Sequence, residues 1–224
     1  MIKLSDQKIV SSWRKNVAPW VKAIEDDEID TRRLVTNQAI VDAITIRAPK
    51  SVLDMGCGEG WLVRHLHAMD INARGIDVVP EFIEYAQSQG AGRFSLLAYE
   101  DISLDSVQER FDVVVCNFSL LGRESVNHLF QQIPALLHNK GYFIVQTLHP
   151  VEACGNEAYE DGWREGSWAG FSDRFVDPAP WYFRTLQTWA SLFLHSGLKL
   201  VETLEPLHPN TQKPASAIFI GQRV

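Results

Sequence analysis

The sequence contains few cysteines and no long uninterrupted apolar segment. Its 224 residues include three cysteines, Cys57, Cys116 and Cys154, none of them in a CxxC pair. An odd number without that spacing argues against a disulfide framework or a structural zinc site. No apolar run is long enough to span a bilayer, and the N-terminal residues lack the apolar stretch of a secretory signal. We therefore expect a cytoplasmic protein with reduced thiols and no membrane contact.

Basic residues are also in the minority. The chain has 21 Lys and Arg against 28 Asp and Glu, a formal net charge of -7, and no dense basic block. Proteins that bind the phosphate backbone usually carry a clustered positive charge. The composition therefore predicts no nucleic-acid partner. Its 46% hydrophobic and 22% charged residues are ordinary for a globular domain.

From residue 51 to residue 150, short apolar runs alternate with helical patterns. This alternation indicates βαβ units, and therefore an α/β fold with a mostly parallel, Rossmann-like sheet that has helices on both faces. The predicted strands lie at residues 51–56, 72–79, 92–100, 111–121 and 141–150.

The segments before and after this core differ in character. Residues 1–49 predict a helical cover, broken at Pro19, with a second helix over 30–48. Residues 151–182, which we call the flap, are rich in Gly, Trp and acidic residues and show no clear period. Long irregular segments in compact domains are usually functional or disordered, and aromatic residues argue against disorder.

The remaining residues, 183–224, predict a helix followed by two strands. Only about ten residues separate those strands, too few for a helical crossover, so we expect an antiparallel pair. We interpret residues 1–224 as one domain that consists of the helical cover, a core over 50–150, the flap and this terminal unit.

The stretch SVLDMGCGEGWL, residues 51–62, places glycines between a predicted strand and a predicted helix. Such a turn lets a ligand approach the backbone and directs helix N–H groups toward it. The glycines Gly56, Gly58 and Gly60 follow G-x-G-x-G, whereas dinucleotide-binding folds use G-x-G-x-x-G. Asp54 precedes them, and Asp77 ends the next predicted strand, where a carboxylate can accept both hydroxyls of a ribose.

The motifs VLDMGCGEG and GIDVVPEFIEYA together resemble the class I S-adenosylmethionine-dependent methyltransferases. The resemblance extends from about Val52 to the end of the chain, because the terminal hairpin also fits. It implies a seven-stranded sheet with an antiparallel final strand, and S-adenosyl-L-methionine as the cofactor.

The resemblance also implies site residues. Asp54, Gly56, Cys57 and Gly58 would hold the methionine part of the cofactor, and Gly60 would let the next helix pack closely. Asp77 would bind the ribose, with Val78 beside the adenine. One acid or hydroxyl of the segment AYEDIS would contact the adenine amino group, and the residues near the sulfonium would come from the end of the fourth strand. The corresponding candidates are Tyr99, Glu100, Asp101, Asn117 and Phe118.

The methyl acceptor leaves a weaker signature. Methyltransferases that act on bases or on protein glutamine typically carry an Asn/Asp-Pro-Pro-Tyr/Phe motif after the fourth strand, whereas this chain has Asn117-Phe118-Ser119-Leu120. The segment that opens the flap is loosely similar to small-molecule methyltransferases related to the ubiquinone and menaquinone enzymes. We therefore expect transfer to a small molecule, at oxygen.

His149 is the candidate general base, since an unperturbed histidine titrates near neutrality; the alternative is a structural residue at the strand end. A pair formed by His149 and Glu152 could bind a metal, but no third ligand is apparent, and we predict no metal site. Trp20 and Arg33 could close over the cofactor or simply pack at the surface. Residues that could contact the acceptor, or only pack the flap, are Trp163, Trp168, Trp181, Tyr182, Arg184 and His208.

Two other functions remain open at this point. An NAD-type dehydrogenase could use a similar sheet, although the glycine spacing and the terminal hairpin oppose it. A non-catalytic module could retain the S-adenosylmethionine pocket without transferring a methyl group.

Overall fold

The computed structural model describes residues 4–224, in which strands and helices alternate through the core. The strands are β1 (Ser51–Met55), β2 (Asn72–Asp77), β3 (Arg93–Leu96), β4 (Phe111–Asn117), β5 (Leu137–Thr147), β6 (Gly162–Arg164), β7 (Trp181–Phe183), β8 (Leu198–Leu204) and β9 (Ala217–Arg223). The α-helices are α1 (Asp6–Lys15), α2 (Val17–Glu25), α3 (Asn37–Thr45), α4 (Trp61–His67), α5 (Pro80–Ser88), α6 (Leu104–Val107), α7 (Glu124–Leu136), α8 (Pro150–Cys154) and α9 (Leu186–His195).

Seven strands form the central sheet, in the order β3-β2-β1-β4-β5-β9-β8. Neighbouring strands from β3 to β5 are parallel, whereas β9 is antiparallel to both β5 and β8. The predicted α/β class, the mostly parallel sheet and the antiparallel final strand are confirmed.

Strand β4 shows why the central strands are apolar along their whole length. Val113 and Val115 pack in the cluster that contains α3 and α4 residues, whereas Val114 and Cys116 pack in the cluster that contains α7 and α9 residues. Successive side chains of a strand point to opposite faces, and here both faces are covered. Ligands can therefore reach this sheet only at its edges or at its strand ends, where the βα loops lie.

Two expectations for the N-terminal helices are corrected. The helical cover is interrupted at Asn16, not at Pro19, because Pro19 lies in the first turn of α2, where its missing N–H needs no partner. The helix expected over 30–48 contains a π-helical segment, Arg32–Thr36, before α3. Such segments insert an extra residue into a helical turn and occur frequently at functional sites.

The flap is more ordered than its composition indicates. It contains α8, and β6 pairs with β7 in a small antiparallel sheet. Strand β5 ends at Thr147, so His149 follows the strand and precedes α8. Within residues 4–224, none of the helices combines the length and the apolar character that crossing a bilayer requires.

Candidate functional site

A cavity of about 550 Å³ lies at the carboxyl ends of the parallel strands. Asp54, Asp77, Asn117 and Thr147, at or next to the ends of β1, β2, β4 and β5, are among the residues that line it. Ligand pockets typically measure about 300–1,000 Å³ and lie at this edge of open α/β sheets. The cavity is therefore the candidate functional site.

The glycine-rich turn after β1 is fixed against β2 by its backbone. The amides of Gly56 and Cys57 both donate to the carbonyl oxygen of Ile76, at 2.8 and 2.9 Å. Gly58 has φ +53°, and a Cβ built on it would be 3.9 Å from its nearest neighbour, Trp20 Nε1. The backbone at Gly58 therefore faces open space that a ligand can occupy.

Asp77 joins the end of β2 to the glycine-rich turn. Its Oδ2 accepts from the Gly58 amide and its Oδ1 accepts from the Val79 amide, both at 2.9 Å. Burial raises the pKa of Asp77, and these backbone hydrogen bonds oppose the shift. Each carboxylate oxygen has a second lone pair, so Asp77 can still accept from a pair of hydroxyls. Val78, beside it, also lines the cavity.

Three carboxylates converge under the cavity. Asp54 and Glu59 are 2% and 3% exposed, and Asp54 Oδ1 and Glu59 Oε1 have no hydrogen-bond partner within residues 4–224. Burial, with the charges of Glu59 and Asp77, raises the pKa of Asp54 to about 8. Buried acceptors without partners are costly, so this group of carboxylates suits a ligand that brings positive charge or N–H and O–H donors.

Arg32 supplies a cation near Glu59, in the same region of the cavity. Its guanidinium stacks on the rings of Trp20 and Trp61, at 5.5 and 5.3 Å from their centroids. Trp20 in turn donates to Glu59 Oε2 at 3.1 Å. Burial lowers the pKa of Arg32, and the nearby charge of Glu59 opposes this shift. The aromatic rings therefore hold a guanidinium that lines the cavity.

Sequence reasoning missed Arg32 and Glu59. It selected Arg33, which is exposed and pairs with Asp30 at 2.8 Å. The π-helical segment places Arg32 and Thr36 on the cavity side, a register that an ordinary helical period does not predict. Glu59 stands inside the glycine motif, between Gly58 and Gly60, and that position was the one signal that could have found it.

The ends of β3 and β4 complete the floor of the cavity. The Tyr99 hydroxyl donates to the Met55 carbonyl oxygen at 2.9 Å and lies 2.9 Å from Ser119 Oγ, which donates to the same carbonyl at 2.7 Å. Asn117 Oδ1 is buried without a partner among the described residues. Phe118 adopts φ +54°, a sparsely populated conformation that occurs at ligand sites.

The roof of the cavity is aromatic. Trp168, Phe171, Trp181 and Tyr182 come from the flap, and Trp13 comes from α1. The Trp13 and Trp168 rings meet edge to face, with centroids 5.7 Å apart. An apolar roof of this kind excludes water and offers stacking surfaces to a planar ligand.

Hydrogen bonds hold the flap against the N-terminal helices. The Asn16 side chain is fully buried; its Nδ2 donates to the Val176 carbonyl at 2.7 Å, and its Oδ1 accepts from the Val176 amide at 2.9 Å. The next residue, Asp177, forms ion pairs with Lys8 and Lys15. The flap and the helical cover therefore form one continuous roof.

We expect Asn16→Ala to release this part of the flap. Loss of the side chain removes the hydrogen bond from the Val176 amide and one of the two to the Val176 carbonyl, which also accepts from Trp168 Nε1 at 3.0 Å. The two lost bonds should cost about 1–3 kcal/mol together. Proteolysis within residues 165–178 should become faster, and the melting temperature should fall. The control is Asp26→Ala, which removes only an exposed pair with Lys22. Equal protease resistance in the two variants would show that Asn16 does not hold the flap.

The two candidate histidines lie away from this lining. His149 is 6% exposed, its Nε2 lies 3.1 Å from Glu205 Oε1, and its Nδ1 has no partner within residues 4–224. His208, in the loop between β8 and β9, accepts from the Asn210 amide at 3.3 Å. Neither side chain is among the residues that line the cavity, and the assignment of His149 as a base stays a prediction.

The cavity thus brings together most of the residues that the sequence selected. Those that line it are Asp54, Gly56, Cys57, Gly58, Asp77, Val78, Tyr99, Glu100, Asn117, Phe118, Trp168, Trp181, Tyr182 and Arg184. Those outside the lining are Gly60, Asp101, His149, Trp163 and His208. A Cβ on Gly60 would lie 2.7 Å from the Phe94 ring, and the Trp163 ring packs on Tyr182. Residues 4–224 contain no group of three or more His, Cys, Asp or Glu arranged to hold a metal ion.

Comparison with known proteins identifies the family of this chain. The model of a methyltransferase domain matches residues 30–203. An uncharacterized methyltransferase of Schizosaccharomyces pombe is 28% identical over 112 residues, which are 48% of this chain and 43% of that protein. A ubiquinone biosynthesis O-methyltransferase of Cupriavidus pinatubonensis is 27% identical over 113 residues, which are 49% of this chain and 45% of that protein. The matched region thus spans less than half the length of these curated relatives.

The fold is also found in solved structures. A 1,6-didemethyltoxoflavin-N1-methyltransferase of Burkholderia thailandensis, solved with 1,6-didemethyltoxoflavin and S-adenosylhomocysteine, superposes with a TM-score of 0.63 at 18% identity. The superposition covers 94% of this chain and 88% of that one. At this level of identity the similarity concerns the fold.

Proposed function

The chain belongs to the methyltransferase-domain family, and from that premise we propose that it transfers the methyl group of S-adenosylmethionine to a small-molecule acceptor, at an oxygen atom. The observation that carries the proposal is the cavity lined by both the aromatic roof and the carboxylates of the glycine-rich turn and its neighbouring strand ends. We further propose that the helical cover, the core, the flap and the terminal unit act as one domain.

The residues of the cavity fit the cofactor group by group. Asp54 and Glu59 present acceptor atoms without partners, which suit the α-ammonium group and tolerate the positive sulfur. Arg32 faces the same region and suits the α-carboxylate. Asp77 retains lone pairs for the ribose hydroxyls, and the open backbone at Gly58 gives room for close approach.

The protein's contribution to the reaction would be positioning and exclusion of water. The cofactor supplies the methyl group when it is bound. Correct alignment of the acceptor with that group can account for about 7–11 kcal/mol of the barrier. Asn117 and Phe118 would orient the reacting groups from below, and the aromatic roof would keep water out.

A small acceptor is supported by the size of the cavity, about 550 Å³. The roof residues Trp13 and Trp168 belong to segments that hydrogen bonds of Asn16 hold together, and a roof of this kind leaves little space for a macromolecular substrate. The relative from C. pinatubonensis acts at oxygen according to its name, and this similarity is the support for an oxygen acceptor. His149 remains our candidate for the residue that takes the hydroxyl proton.

The proposal is tested first by cofactor binding. Calorimetry should show that S-adenosylhomocysteine binds at least ~100-fold more tightly than NAD, a difference of about 2.7 kcal/mol. Tight NAD binding, or no binding of S-adenosylhomocysteine, would refute the proposed function.

Methyl transfer is the second test. Methyl-labelled S-adenosylmethionine incubated with a panel of small hydroxylated and aminated compounds should give a labelled product, and mass spectrometry should locate the methyl group on oxygen. A methyl group on nitrogen would correct the acceptor atom only. Binding of the cofactor without any transfer would favour a non-catalytic module.

A further inference from the structure

Arg184 is a buried cation at the acceptor side of the cavity. Its side chain is 3% exposed, and the guanidinium stacks on Tyr182 and Trp189, at 4.9 and 5.3 Å from the ring centroids. Nη2 donates to the Arg123 carbonyl at 3.2 Å, whereas Nη1 has no partner within the described residues. The rings thus fix the plane of the guanidinium, and Nη1 is left buried without a hydrogen-bond partner at the cavity wall.

The carboxylates nearest to Arg184 are already engaged by backbone amides. Asp6 accepts from the Arg123 amide at 2.9 Å and from the Ser125 amide at 2.7 Å. Asp161 accepts from the Thr185 amide at 2.9 Å. Within residues 4–224, neither acid forms an ion pair with Arg184. Among the described residues the guanidinium is therefore buried without a direct ion pair, although the nearby charges of Asp161 and Asp6 oppose the lowering of its pKa.

An arrangement of this kind is unfavourable unless a ligand completes it. Burial lowers the pKa of Arg184 to about 10, so the side chain stays charged at neutral pH. A buried charge without a partner is strongly destabilising compared with a paired one. The guanidinium fork matches the two oxygens of a carboxylate, which it binds with a pair of parallel hydrogen bonds.

The two buried arginines of the cavity lie on different walls. Arg32 belongs to the π-helical segment and lies between Trp20 and Trp61, next to Glu59 of the glycine-rich turn. Arg184 follows β7 and is bonded to the loop between β4 and α7. Because Arg32 suits the carboxylate of the cofactor, Arg184 is free for the second ligand.

We propose that Arg184 forms an anion-binding subsite, and that the acceptor is an aromatic small molecule carrying a carboxylate. This inference rests on the proposed function. The aromatic ring of the acceptor would stack under the Trp181 and Tyr182 side of the roof while its carboxylate pairs with the free edge of the guanidinium. A carboxylate is the expected anion because its two oxygens lie in one plane, as do the N–H groups of the guanidinium. A phosphate ester would place a third oxygen against an apolar wall.

The test uses matched pairs of probes on protein saturated with S-adenosylhomocysteine. The probes are 4-hydroxyphenylacetate with its amide, 3-hydroxy-2-naphthoate with its amide, and 4-hydroxyphenyl phosphate. Calorimetry should show the acids binding about tenfold to a hundredfold more tightly than the amides, the range expected for a hydrogen bond to a charged group. Arg184→Met should abolish this preference and leave the affinity for S-adenosylhomocysteine unchanged.

Arg123→Met is the matched control. Its guanidinium stacks on the same Tyr182 ring, at 5.4 Å, but its side chain is 52% exposed and does not line the cavity. This variant should keep the preference for acids.

Equal binding of acids and amides by the wild-type protein, or no binding of the acids, overturns the inference. This outcome is read from the wild-type protein alone. A stronger response to the phosphate ester than to the acids also overturns it. A loss of S-adenosylhomocysteine affinity in Arg184→Met would assign the residue to the cofactor instead. Failure of the wild-type protein to bind S-adenosylhomocysteine at all would refute the proposed function, which is a separate result.

Discussion

Gly56→Ala should destabilise the protein by about 2–5 kcal/mol, because it combines about 1–2 kcal/mol of backbone strain with about 1–3 kcal/mol of overpacking. Gly56 has φ +74°, and a Cβ there would overlap Ser119 Cβ and lie 2.6 Å from the Tyr99 hydroxyl. Both neighbours are held by the Met55 carbonyl, so neither moves aside easily. Thermal unfolding should show a melting temperature lower by roughly 5–15 °C.

Variants at two other glycines distinguish the cost of backbone strain from the cost of overpacking. Gly90 has φ +98° and no heavy atom of the described chain within 4 Å of a built Cβ. Gly90→Ala should therefore cost only the strain, about 1–2 kcal/mol. Gly58→Ala should be similarly stable, yet it should weaken binding of S-adenosylhomocysteine because its methyl group enters the cavity. If Gly56→Ala and Gly90→Ala lose the same stability, packing at Gly56 contributes nothing.

Asp54 should make both stability and cofactor binding depend on pH. Its pKa of about 8 in the folded protein exceeds the value of about 4 expected for an unfolded chain. The folded protein therefore retains a proton that the unfolded chain releases between about pH 4 and pH 8. The stabilisation that comes from protonated Asp54 is complete below this pH range and is lost as the pH rises through it. The reason is that an ionised Asp54 would be buried beside Glu59 and Asp77.

The measurement compares the wild-type protein with Asp54→Asn. The free energy of unfolding of the wild type, minus that of the variant, should fall as the pH rises from 5.5 to 8 at about 1.4 kcal/mol per unit at most. A flat difference would mean that Asp54 is ionised throughout. Asp112→Asn is a suitable control, since Asp112 accepts from the Lys50 and Ser51 amides at the other end of the sheet.

The affinity for S-adenosylhomocysteine should increase as the pH rises, whereas the free energy of unfolding decreases. A bound ammonium group favours ionised Asp54, so binding should release a proton and should strengthen by up to about tenfold per pH unit between pH 6 and 7.5. Calorimetry in buffers of different ionisation enthalpy measures that proton directly. Asp54→Asn should remove the slope and weaken binding by about tenfold to a hundredfold near pH 8. An unchanged slope in the variant would assign the proton to another group.

The order of the seven strands of the central sheet and of most helices between them followed from the sequence because its causes are local. The apolar runs at β1, β4 and β5 and the helical patterns between them each specify one element, and a right-handed crossover then specifies a parallel sheet. The position of the glycine-rich turn and of Asp77 at adjacent strand ends follows from the same connectivity. Much of the cofactor side of the site was therefore predictable.

The other side of the site depends on contacts between distant segments. Arg32 reaches the cavity only through a π-helical register, and Glu59 becomes its neighbour only when the helical cover closes on the glycine-rich turn. Arg184 was selected as a residue that could contact the acceptor or pack the flap, but only the tertiary structure shows that Asp6 and Asp161 accept from backbone amides and form no ion pair with it. The role of His149 likewise depends on the orientation of its imidazole ring, whose Nε2 contacts Glu205 Oε1.

The sequence by itself thus determined the family, the sheet and the residues at the strand ends, because short-range patterns and the βαβ connection are sufficient to place them. The tertiary structure decided which charges remain without partners. Whether a buried arginine has a counterion depends on every segment packed around it, and no local pattern encodes that. The carboxylate subsite that we propose at Arg184 depends on that last property.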